Sequence, residues 1–511
     1  MPVSLHDRLL EKYASLIDAL ADPERRRRAI LWLALGYGAV WWLYALIAKS
    51  SQGINADMAE MLVWGRNPDW GYPKHPPLLG WIVGAWFSVF PAADWAFYLL
   101  SAVTLAAGIV LAFVLAGEWL DGRKRALVPF LLALIPFYNF LGLKFDQNSA
   151  LIPLWALTVW AFVRSLDTRK TGYAALAGIA AAAAMLTKYW SAFLILALVL
   201  AALLDRRRVG YFRSAAPWIT VAVGAVLIAP HVVWLVRNDF PPITWVSGRR
   251  VSQSLFEAVS SAGEYALATA AYCAFALAVY GIYVRPSPGG LRDSAFSGEG
   301  RRRRAAIIFW LPLAVPVAFA LALKTNLLSL WNTPALSLLP VMLMASPLIE
   351  VTRDAAARIA ATTVTFTLAV LAVSPAIAGI LFSIGVENYA SYARDVAVRV
   401  ESEWRATSGK PLAILAGPFA LTNSAAFYLK DGPATYSDFL HYLSPWITDE
   451  RIARQGAVIV CPADNGYCGR NLDSLLARHR GGRFAEFSVT PRWLWLSGEP
   501  ERFLVATLPP R

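Results

Sequence analysis

Apolar runs of about 20 residues recur along this chain of 511 residues, and they constrain its fold more than any other feature. A run of that length crosses a bilayer as one α-helix. Hydrophobic residues make up 57% of the chain and charged residues only 16%, whereas soluble proteins carry about 25% charge. This composition excludes a disordered chain and argues against a single soluble enzyme. We therefore expect a helical, polytopic membrane protein.

The basic residues indicate how the chain crosses the membrane. The formal net charge is +13, but the basic residues fall in short clusters between apolar runs. This pattern is typical of cytoplasmic loops and does not indicate a nucleic-acid partner. Four arginines, 25–28, precede the first run and place the segment 1–28 in the cytoplasm. No cleavable signal is evident.

One apolar stretch, 77–90, decides the parity of the spans. Its 14 residues rise only about 21 Å, against a hydrocarbon core of about 30 Å. We take it as an interfacial helix within a periplasmic loop, 49–94, because the basic clusters then alternate correctly. About 11 spans form a transmembrane domain, 29–385. The predicted spans cover 29–48, 95–119, 126–143, 148–165, two short helices within 172–204, 212–235, 263–284, 305–323, 327–349 and 356–385.

The tail, 386–511, is polar, and its short apolar runs alternate with helix-like stretches. We expect a periplasmic α/β domain. Three cysteines are too few for a disulfide scaffold. Cys461 and Cys468 flank a segment with an Asn-Gly turn signal. A disulfide between them is predicted for an oxidising compartment, and two free thiols are the alternative.

The predicted topology brings ionisable residues of several segments to the outer face. Charges at membrane depth are costly and usually mark functional sites, so an outward-facing cavity is expected. The candidates are Asp57, Glu60, Lys74, His75, Asp146, Lys188, Arg249, Arg250 and Lys324.

Several candidates have a purely structural alternative. Asp57 and Glu60 stand three residues apart, where one face of an exposed loop helix would carry both. Lys74 and His75 precede two prolines and would also serve as interfacial anchors. Asp146 lies at a helix junction, where a carboxylate caps a helix. Lys188 interrupts an otherwise apolar stretch, and a lone lysine at a break in a helix indicates an anion site.

These residue types fit group transfer from a phosphorylated lipid. Several cations would neutralise a phosphate or diphosphate, and a carboxylate would deprotonate an acceptor hydroxyl or amine. No glycine-rich phosphate loop, HExxH motif or Ser-His-Asp order stands out. The energy is therefore expected to reside in the donor itself.

Four short motifs resemble those of the integral-membrane GT-C glycosyltransferases of the protein-mannosyltransferase and lipid A aminoarabinose-transferase type. The likeness runs through residues 30–350. Asp57 and Glu60 resemble the acidic pair of the family's first loop, although the two acids are adjacent in the family and three positions apart here. The motifs are Asp57-Met58-Ala59-Glu60, the segment Lys74-His75-Pro76-Pro77-Leu78 with Trp81, Asp146 after the second outward span, and Leu186-Thr187-Lys188-Tyr189.

The resemblance implies an inverting transfer from a polyprenyl-phosphate sugar to a glycolipid at the periplasmic face of the bacterial inner membrane. Asp57 would be the base, with Glu60 close by, and Asp146 would support it. The donor phosphate would be held by Lys74, His75 and Lys188, with Arg249, Arg250 and Lys324 as further contacts.

The chain departs from the family at two places. His75 takes the position of the family's lysine, and Lys74 takes that of an acid found in some members. Some relatives bind a divalent metal there, and this sequence lacks an obvious matching acid. No required metal or other cofactor is therefore expected, and an optional divalent metal stays open. Tyr189 replaces a glycine after the motif lysine. Two alternatives stay open: a protein O-glycosyltransferase of the same fold, and a transporter or flippase for a lipid-linked anion.

Overall fold

The computed structural model describes residues 5–250, 254–385, 389–479 and 481–511. Within these ranges seven helices are long and apolar enough to cross a membrane: α2, α5, α8, α12, α14, α16 and α18. Each of the seven overlaps a predicted span. In chain order the helices are α1 (Leu5–Ala21), α2 (Arg26–Ala48), α3 (Ala56–Arg66), α4 (Leu78–Val89), α5 (Asp94–Ala116), α6 (Gly122–Ala126), α7 (Val128–Ala133), α8 (Gln147–Thr168), α9 (Thr171–Thr187), α10 (Ser191–Leu203), α11 (Arg208–Phe212), α12 (Ala216–Arg237), α13 (Pro241–Arg250), α14 (Leu255–Val284), α15 (Pro288–Ala295), α16 (Gly300–Leu323), α17 (Leu339–Met344), α18 (Arg353–Ile384), α19 (Ala393–Thr407), α20 (Phe419–Tyr428), α21 (Asp449–Gln455) and α22 (Gly466–Arg478).

The other four predicted spans are short or broken helices. The span predicted at 126–143 is bent by 84° between Gly122–Ala133 and Pro136–Leu143. The stretch 172–204 forms α9 and α10, which separate at Lys188 as the sequence predicts. The stretch 327–349 is a 3₁₀ helix, Ser329–Leu338, followed by the short α17.

Prolines lie at two of the broken elements, 126–143 and 327–349. Pro136 begins a 3₁₀ turn at the bend of the second outward segment. Pro334 lies inside the 3₁₀ helix, and Pro340 lies in the first turn of α17. A proline lacks the N–H group that an α-helix interior requires and so favours a break, although α12 and α16 continue through interior prolines. The apolar pattern alone predicted straight spans there.

The chain divides into two compact units. The first unit contains residues 1–41 and 101–371, and the second contains 42–100 and 372–511. The second unit therefore joins the first loop to the C-terminal tail, whereas the sequence-based domain boundaries assigned that loop to the transmembrane domain. Within the first unit α9 packs against both α8 and α12, and α10 packs against α16.

In the second unit both α4 and α20 pack against α3. α4 has 12 residues and is too short to cross a bilayer. Gly65 and Gly84 allow the approach of α3 and α4, because a Cβ on Gly65 would lie 2.6 Å from the Gly84 nitrogen.

The tail forms an α/β domain with a five-stranded sheet of order β2-β1-β3-β7-β4. β1 pairs in parallel with β2 and β3, and β7 is antiparallel to β3 and β4; β5 and β6 form a separate pair. The strands are β1 (Ile414–Gly417), β2 (Ala434–Ser437), β3 (Ala457–Pro462), β4 (Arg483–Val489), β5 (Arg492–Trp493), β6 (Leu496–Ser497) and β7 (Glu501–Leu508).

Alternating side chains of the central strands fill two cores, one on each face of this sheet. Leu415 and Val460 belong to the core that contains Trp404, while Ile414 and Ile459 belong to the opposite core. This period of two is the pattern of a sheet buried on both faces. Cys461 and Cys468 form a disulfide next to the second core, with their Cα atoms 5.6 Å apart.

Candidate functional site

The acidic pair of the first loop lies on α3, a helix whose start is set by Asn55. The Asn55 side chain accepts a hydrogen bond from the Asp57 backbone N–H at 3.0 Å and so caps the helix. Asp57 lies in the first turn and is half-buried, whereas Glu60, one turn later, is buried. The two acids of this motif therefore have different surroundings.

Glu60 forms an ion pair with Lys74. The Lys74 Nζ lies 2.8 Å from Oε1 of Glu60, and the two side chains are only 10% and 9% exposed. The ammonium also lies 3.7 Å from the centroid of the Phe419 ring. We call Asp57, Glu60, Lys74, His75 and Phe419 the loop cluster. All of its members belong to the second unit.

Burial changes the pKa of Glu60, the acidic member of this pair. Burial of the carboxyl raises the pKa of Glu60 to about 7, although the Lys74 ammonium opposes the rise. The carboxylates of Asp57 and Asp438 add to it through like-charge repulsion. Glu60 therefore titrates close to neutral pH, where a carboxyl can exchange protons with bound groups.

The segment that carries Lys74 and His75 is fixed by aromatic packing. The Tyr72 ring stacks on Trp64 of α3 at 4.6 Å, and the Tyr72 N–H donates to the His75 carbonyl at 3.0 Å. The His75 ring lies 6.1 Å from Trp64. A Cβ on Gly80 would lie 2.8 Å from the Tyr72 ring, so only glycine fits there.

A second group of candidates lies in the first unit, at the start of α8. Asp146 is the N-cap of this helix and accepts from the backbone N–H groups of Asn148 and Ser149 at 2.8 and 3.1 Å. The Ser149 hydroxyl accepts from the Asp146 N–H, which completes a capping box. Asp146 therefore caps the helix, as the purely structural interpretation predicts. Its second carboxylate oxygen accepts a hydrogen bond from the Asn148 side-chain amide at 3.3 Å.

Lys188 lies beside this cap. Its ammonium donates to the Asn148 Oδ1 at 2.6 Å and lies 4.6 Å from the centroid of the Trp331 ring. The side chain is buried, with 8% exposure. We call Asp146, Asn148, Lys188 and Trp331 the junction cluster. Asn148 thus contacts both Asp146 and Lys188, the second acid and the second lysine of the family-like motifs.

Tyr189, which departs from the family motif, pairs with a histidine. Its hydroxyl lies 2.8 Å from Nε2 of His231, and the two rings are stacked. His231 is 2% exposed and lies on α12 beside Pro230. The bulky residue after the motif lysine is therefore anchored to a neighbouring helix.

The remaining predicted phosphate contacts are less defined. Lys324 follows α16 with a φ of 51°, and its side chain is exposed. Arg249 and Arg250 end α13, and their side chains lie outside the described part of the chain. In the described ranges no group of three or more His, Cys, Asp and Glu residues is arranged to hold a metal ion.

Sequence reasoning named Glu60 as a candidate but missed the other partners of the two lysines: Phe419, Asn148 and Trp331. Asn148 carried a signal, because it belongs to the polar junction Lys144-Phe145-Asp146-Gln147-Asn148. Phe419 and Trp331 carried none, since the chain has 25 Phe and 21 Trp residues and both positions are remote from the motifs. Only folding brings these aromatic rings to the lysines.

The geometry can be compared with known proteins. Residues 74–234 match the family model described as dolichyl-phosphate-mannose-protein mannosyltransferase, and this range includes Lys74, Asp146 and Lys188. The crystal structure of ArnT from Cupriavidus metallidurans bound to undecaprenyl phosphate covers 93% of this chain and 97% of its own, with a TM-score of 0.62 at 16% identity. The apo form gives a TM-score of 0.61 at 15% identity.

The chain has the GT-C fold. This confirms the resemblance and the fold class predicted from the sequence: a polytopic helical membrane protein with a small C-terminal sheet domain.

Two curated relatives come from Rhizobium johnstonii. Lipid A galacturonosyltransferase RgtD is 26% identical over 217 residues, 42% of this chain and 44% of the relative. Lipopolysaccharide core galacturonosyltransferase RgtB is 26% identical over 338 residues, 62% of this chain and 65% of the relative. The GT-C chain thus matches less than two thirds of the length of either relative.

Proposed function

We propose that this GT-C protein is an inverting glycosyltransferase that moves a sugar from a polyprenyl-phosphate donor to an envelope glycolipid. The observation that carries the proposal is the fold of ArnT in a chain whose family match includes both motif lysines and the second acid. The ArnT structure holds undecaprenyl phosphate, a lipid phosphate of the class that the lysines would bind.

The state of the two lysines supports this donor. Lys74 and Lys188 are both buried or nearly so, and each has an oxygen partner and an aromatic face. A buried cation is costly unless it has a partner, and both lysines have one: Lys74 contacts the Glu60 carboxylate and Lys188 contacts the Asn148 amide oxygen. A phosphate group is a suitable further ligand for an ammonium so held.

The proposed reaction is a single displacement at the anomeric carbon. The acceptor hydroxyl oxygen forms a bond to this carbon while the bond from the carbon to the phosphate oxygen breaks. The hydroxyl proton moves to Asp57, and the electron pair remains on the lipid phosphate. Asp57 is the more accessible of the two acids on α3, whereas Glu60 is buried against Lys74. We therefore assign the base to Asp57 and the positioning of Lys74 to Glu60.

The acceptor is proposed as lipid A or the lipopolysaccharide core, on the periplasmic side of the bacterial inner membrane. The support comes from the relatives, whose names specify these acceptors and a galacturonosyl group. A hexuronic acid is accordingly the first sugar to test. No cofactor is proposed, and addition of a divalent cation to the assay tests that part.

The test uses the purified full-length protein in liposomes with polyprenyl-phosphate sugars from a membrane lipid extract. Lipid A, core lipopolysaccharide and an acceptor protein are supplied separately, and products are measured by mass spectrometry. Wild type should add one sugar to a glycolipid. Asp57→Asn should reduce the rate at least about 100-fold, the lower range for loss of a general base.

Asp69→Asn is the matched control, because Asp69 is an exposed acid of the same loop. Its rate should stay close to that of wild type. Full activity in Asp57→Asn would show that Asp57 is not the base. Transfer to protein alone would replace the glycolipid acceptor, and lipid movement across the bilayer without a glycosidic product would favour a transporter.

A further inference from the structure

The C-terminal domain contributes Phe419 to the loop cluster, a contact that no local feature of the sequence indicates. Phe419 is the first residue of α20 and is separated from β1 only by Pro418, and the Lys74 Nζ lies 3.7 Å from the centroid of its ring. A cation over an aromatic face is attracted by the ring quadrupole, and more strongly where water is excluded. Lys74 is 10% exposed, so this contact lies largely out of water.

The position of Phe419 is set by a rigid corner of the sheet. Its backbone N–H donates to the Asp438 Oδ1 at 2.8 Å, and the Asp438 N–H donates to the Gly417 carbonyl at 2.8 Å. Asp438 and Phe439, which follow β2, have φ values of 54° and 57°. Two successive residues in the left-handed region are uncommon and persist only where the surrounding structure holds them.

The other end of α20 holds the start of the first loop. The Ser424 hydroxyl donates to the Ile54 carbonyl at 3.1 Å, and the Ile54 N–H donates to the Tyr428 hydroxyl at 2.7 Å. Tyr428 in turn donates to Asp94, which forms an ion pair with Arg394. α20 is therefore fixed to the residue just before the cap of α3, as well as to Lys74.

We propose that Phe419 is a positioning residue for Lys74, so that the C-terminal domain is a working part of donor-phosphate binding. Glu60 holds the ammonium from one side and the Phe419 ring holds it from another. Without the ring, the flexible lysine chain would sample more rotamers and present its charge to a phosphate less often. The inference rests on the proposed function where it names the phosphate, but the positioning of Lys74 can be measured separately.

The test compares Phe419→Leu with Phe419→Tyr in the full-length protein. Leucine keeps an apolar side chain and removes the aromatic face, whereas tyrosine keeps the face. Affinity for undecaprenyl phosphate should fall about 3- to 10-fold in Phe419→Leu and stay close to wild type in Phe419→Tyr. In a Lys74→Met background, Phe419→Leu should have little further effect, because the two residues act as a pair.

Phe484→Leu is the matched control, since Phe484 is an exposed phenylalanine on β4 of the same domain and lies outside the corner that holds Phe419. It should leave affinity within about twofold of wild type, because surface substitutions away from special features usually change free energies by no more than about 0.5 kcal/mol. The inference is wrong if Phe419→Leu binds undecaprenyl phosphate like wild type, or if its loss of affinity is as large in the Lys74→Met background.

A second readout needs no lipid. The rate at which a water-soluble acylating reagent modifies Lys74, measured by peptide mass spectrometry, should rise severalfold in Phe419→Leu and not in Phe419→Tyr or Phe484→Leu. An unchanged rate in Phe419→Leu overturns the positioning role. If wild type binds no undecaprenyl phosphate, the proposed function fails, while the labelling rates still decide whether Phe419 positions Lys74.

Discussion

At the scale of single residues, both motif lysines have the same construction. Lys74 lies between the Glu60 carboxylate and the Phe419 ring, and Lys188 lies between the Asn148 amide oxygen and the Trp331 ring. The oxygen supplies a directed hydrogen bond and the ring supplies a second, less directional attraction. The difference is in the oxygen, because Glu60 can lose its charge and Asn148 cannot.

Glu60 therefore makes stability depend on pH. Burial raises its pKa to about 7, so folding favours the protonated form. The native protein binds more protons than the unfolded chain between about pH 4.5 and about pH 7, and its stability falls as pH rises through that window. Relative to Glu60→Gln, which cannot ionise, wild type should lose at most about 3 kcal/mol across it.

The measurement is the melting temperature of both proteins in detergent at several values between pH 4.5 and pH 8. The difference between wild type and Glu60→Gln should move in favour of the variant as pH rises, then level off. In a Lys74→Met background the upper end of the window should move to higher pH, because the ammonium lowers the pKa of Glu60 in the folded protein. A difference that is constant with pH would mean that Glu60 titrates as it does in the unfolded chain.

At the scale of elements, α3 is the helix on which the loop cluster depends. It packs against α4 on one side and α20 on another. The contact with α4 uses glycines in place of side chains, and a Cβ on Gly65 would meet backbone atoms of Gly80 and Gly84 at 2.7 and 2.6 Å. Backbone atoms cannot swing away as a side chain tip does, so a larger residue must separate the helices.

Gly65→Ala should therefore destabilise the protein by about 1–3 kcal/mol, the usual cost of overpacking. A lower melting temperature and a weaker affinity for undecaprenyl phosphate are expected together, because the same shift displaces Glu60 and Lys74. Gly36→Ala is the matched control, since a Cβ there meets nothing within 4 Å on α2. Equal melting temperatures for the two variants would contradict the close packing.

The sequence predicted elements well where one local signal decided them. Lys188 in an apolar stretch indicated the break between α9 and α10, and two flanking prolines with a short length indicated the 12-residue α4. It failed at 327–349, where apolar residues continue through Pro334 and Pro340 and the chain forms a 3₁₀ helix and α17. A hydrophobic segment is expected in an apolar environment, but hydrophobicity does not show whether its backbone forms one continuous helix.

At the scale of the whole molecule, the basic clusters and the C-terminal disulfide both bear on the orientation of the protein in the membrane. Short arginine clusters indicate cytoplasmic loops, and the 11 crossings predicted from the sequence, an odd number, would place the tail on the side opposite the N-terminal segment. The disulfide between Cys461 and Cys468 fits a domain in an oxidising compartment. We therefore propose a cytoplasmic segment 1–28 and a periplasmic C-terminal domain.

Reporter fusions test this orientation. Alkaline phosphatase fused after Arg511 should be active in a bacterial host, because the enzyme matures only in the periplasm, and green fluorescent protein at the same place should be dark. When the same reporters are placed before residue 1, green fluorescent protein should fluoresce and alkaline phosphatase should be inactive. Fluorescence from the C-terminal fusion would overturn the parity argument that took 77–90 as an interfacial helix.

Much of this protein follows from the sequence alone. The length and spacing of apolar runs determined a polytopic membrane protein, and motifs around Asp57, Lys74, Asp146 and Lys188 indicated the GT-C type. These features are local: a bilayer imposes a minimum length on each helix, and charged residues in apolar surroundings stand out.

The tertiary structure decided which groups surround those residues. It buries Glu60 against Lys74, brings Phe419 across more than 300 positions of the chain to the same ammonium, and places Asn148 and Trp331 at Lys188. It also packs the first loop with the C-terminal domain. A phenylalanine after a strand has no local property that reveals a lysine partner, because that contact arises only from packing between distant segments.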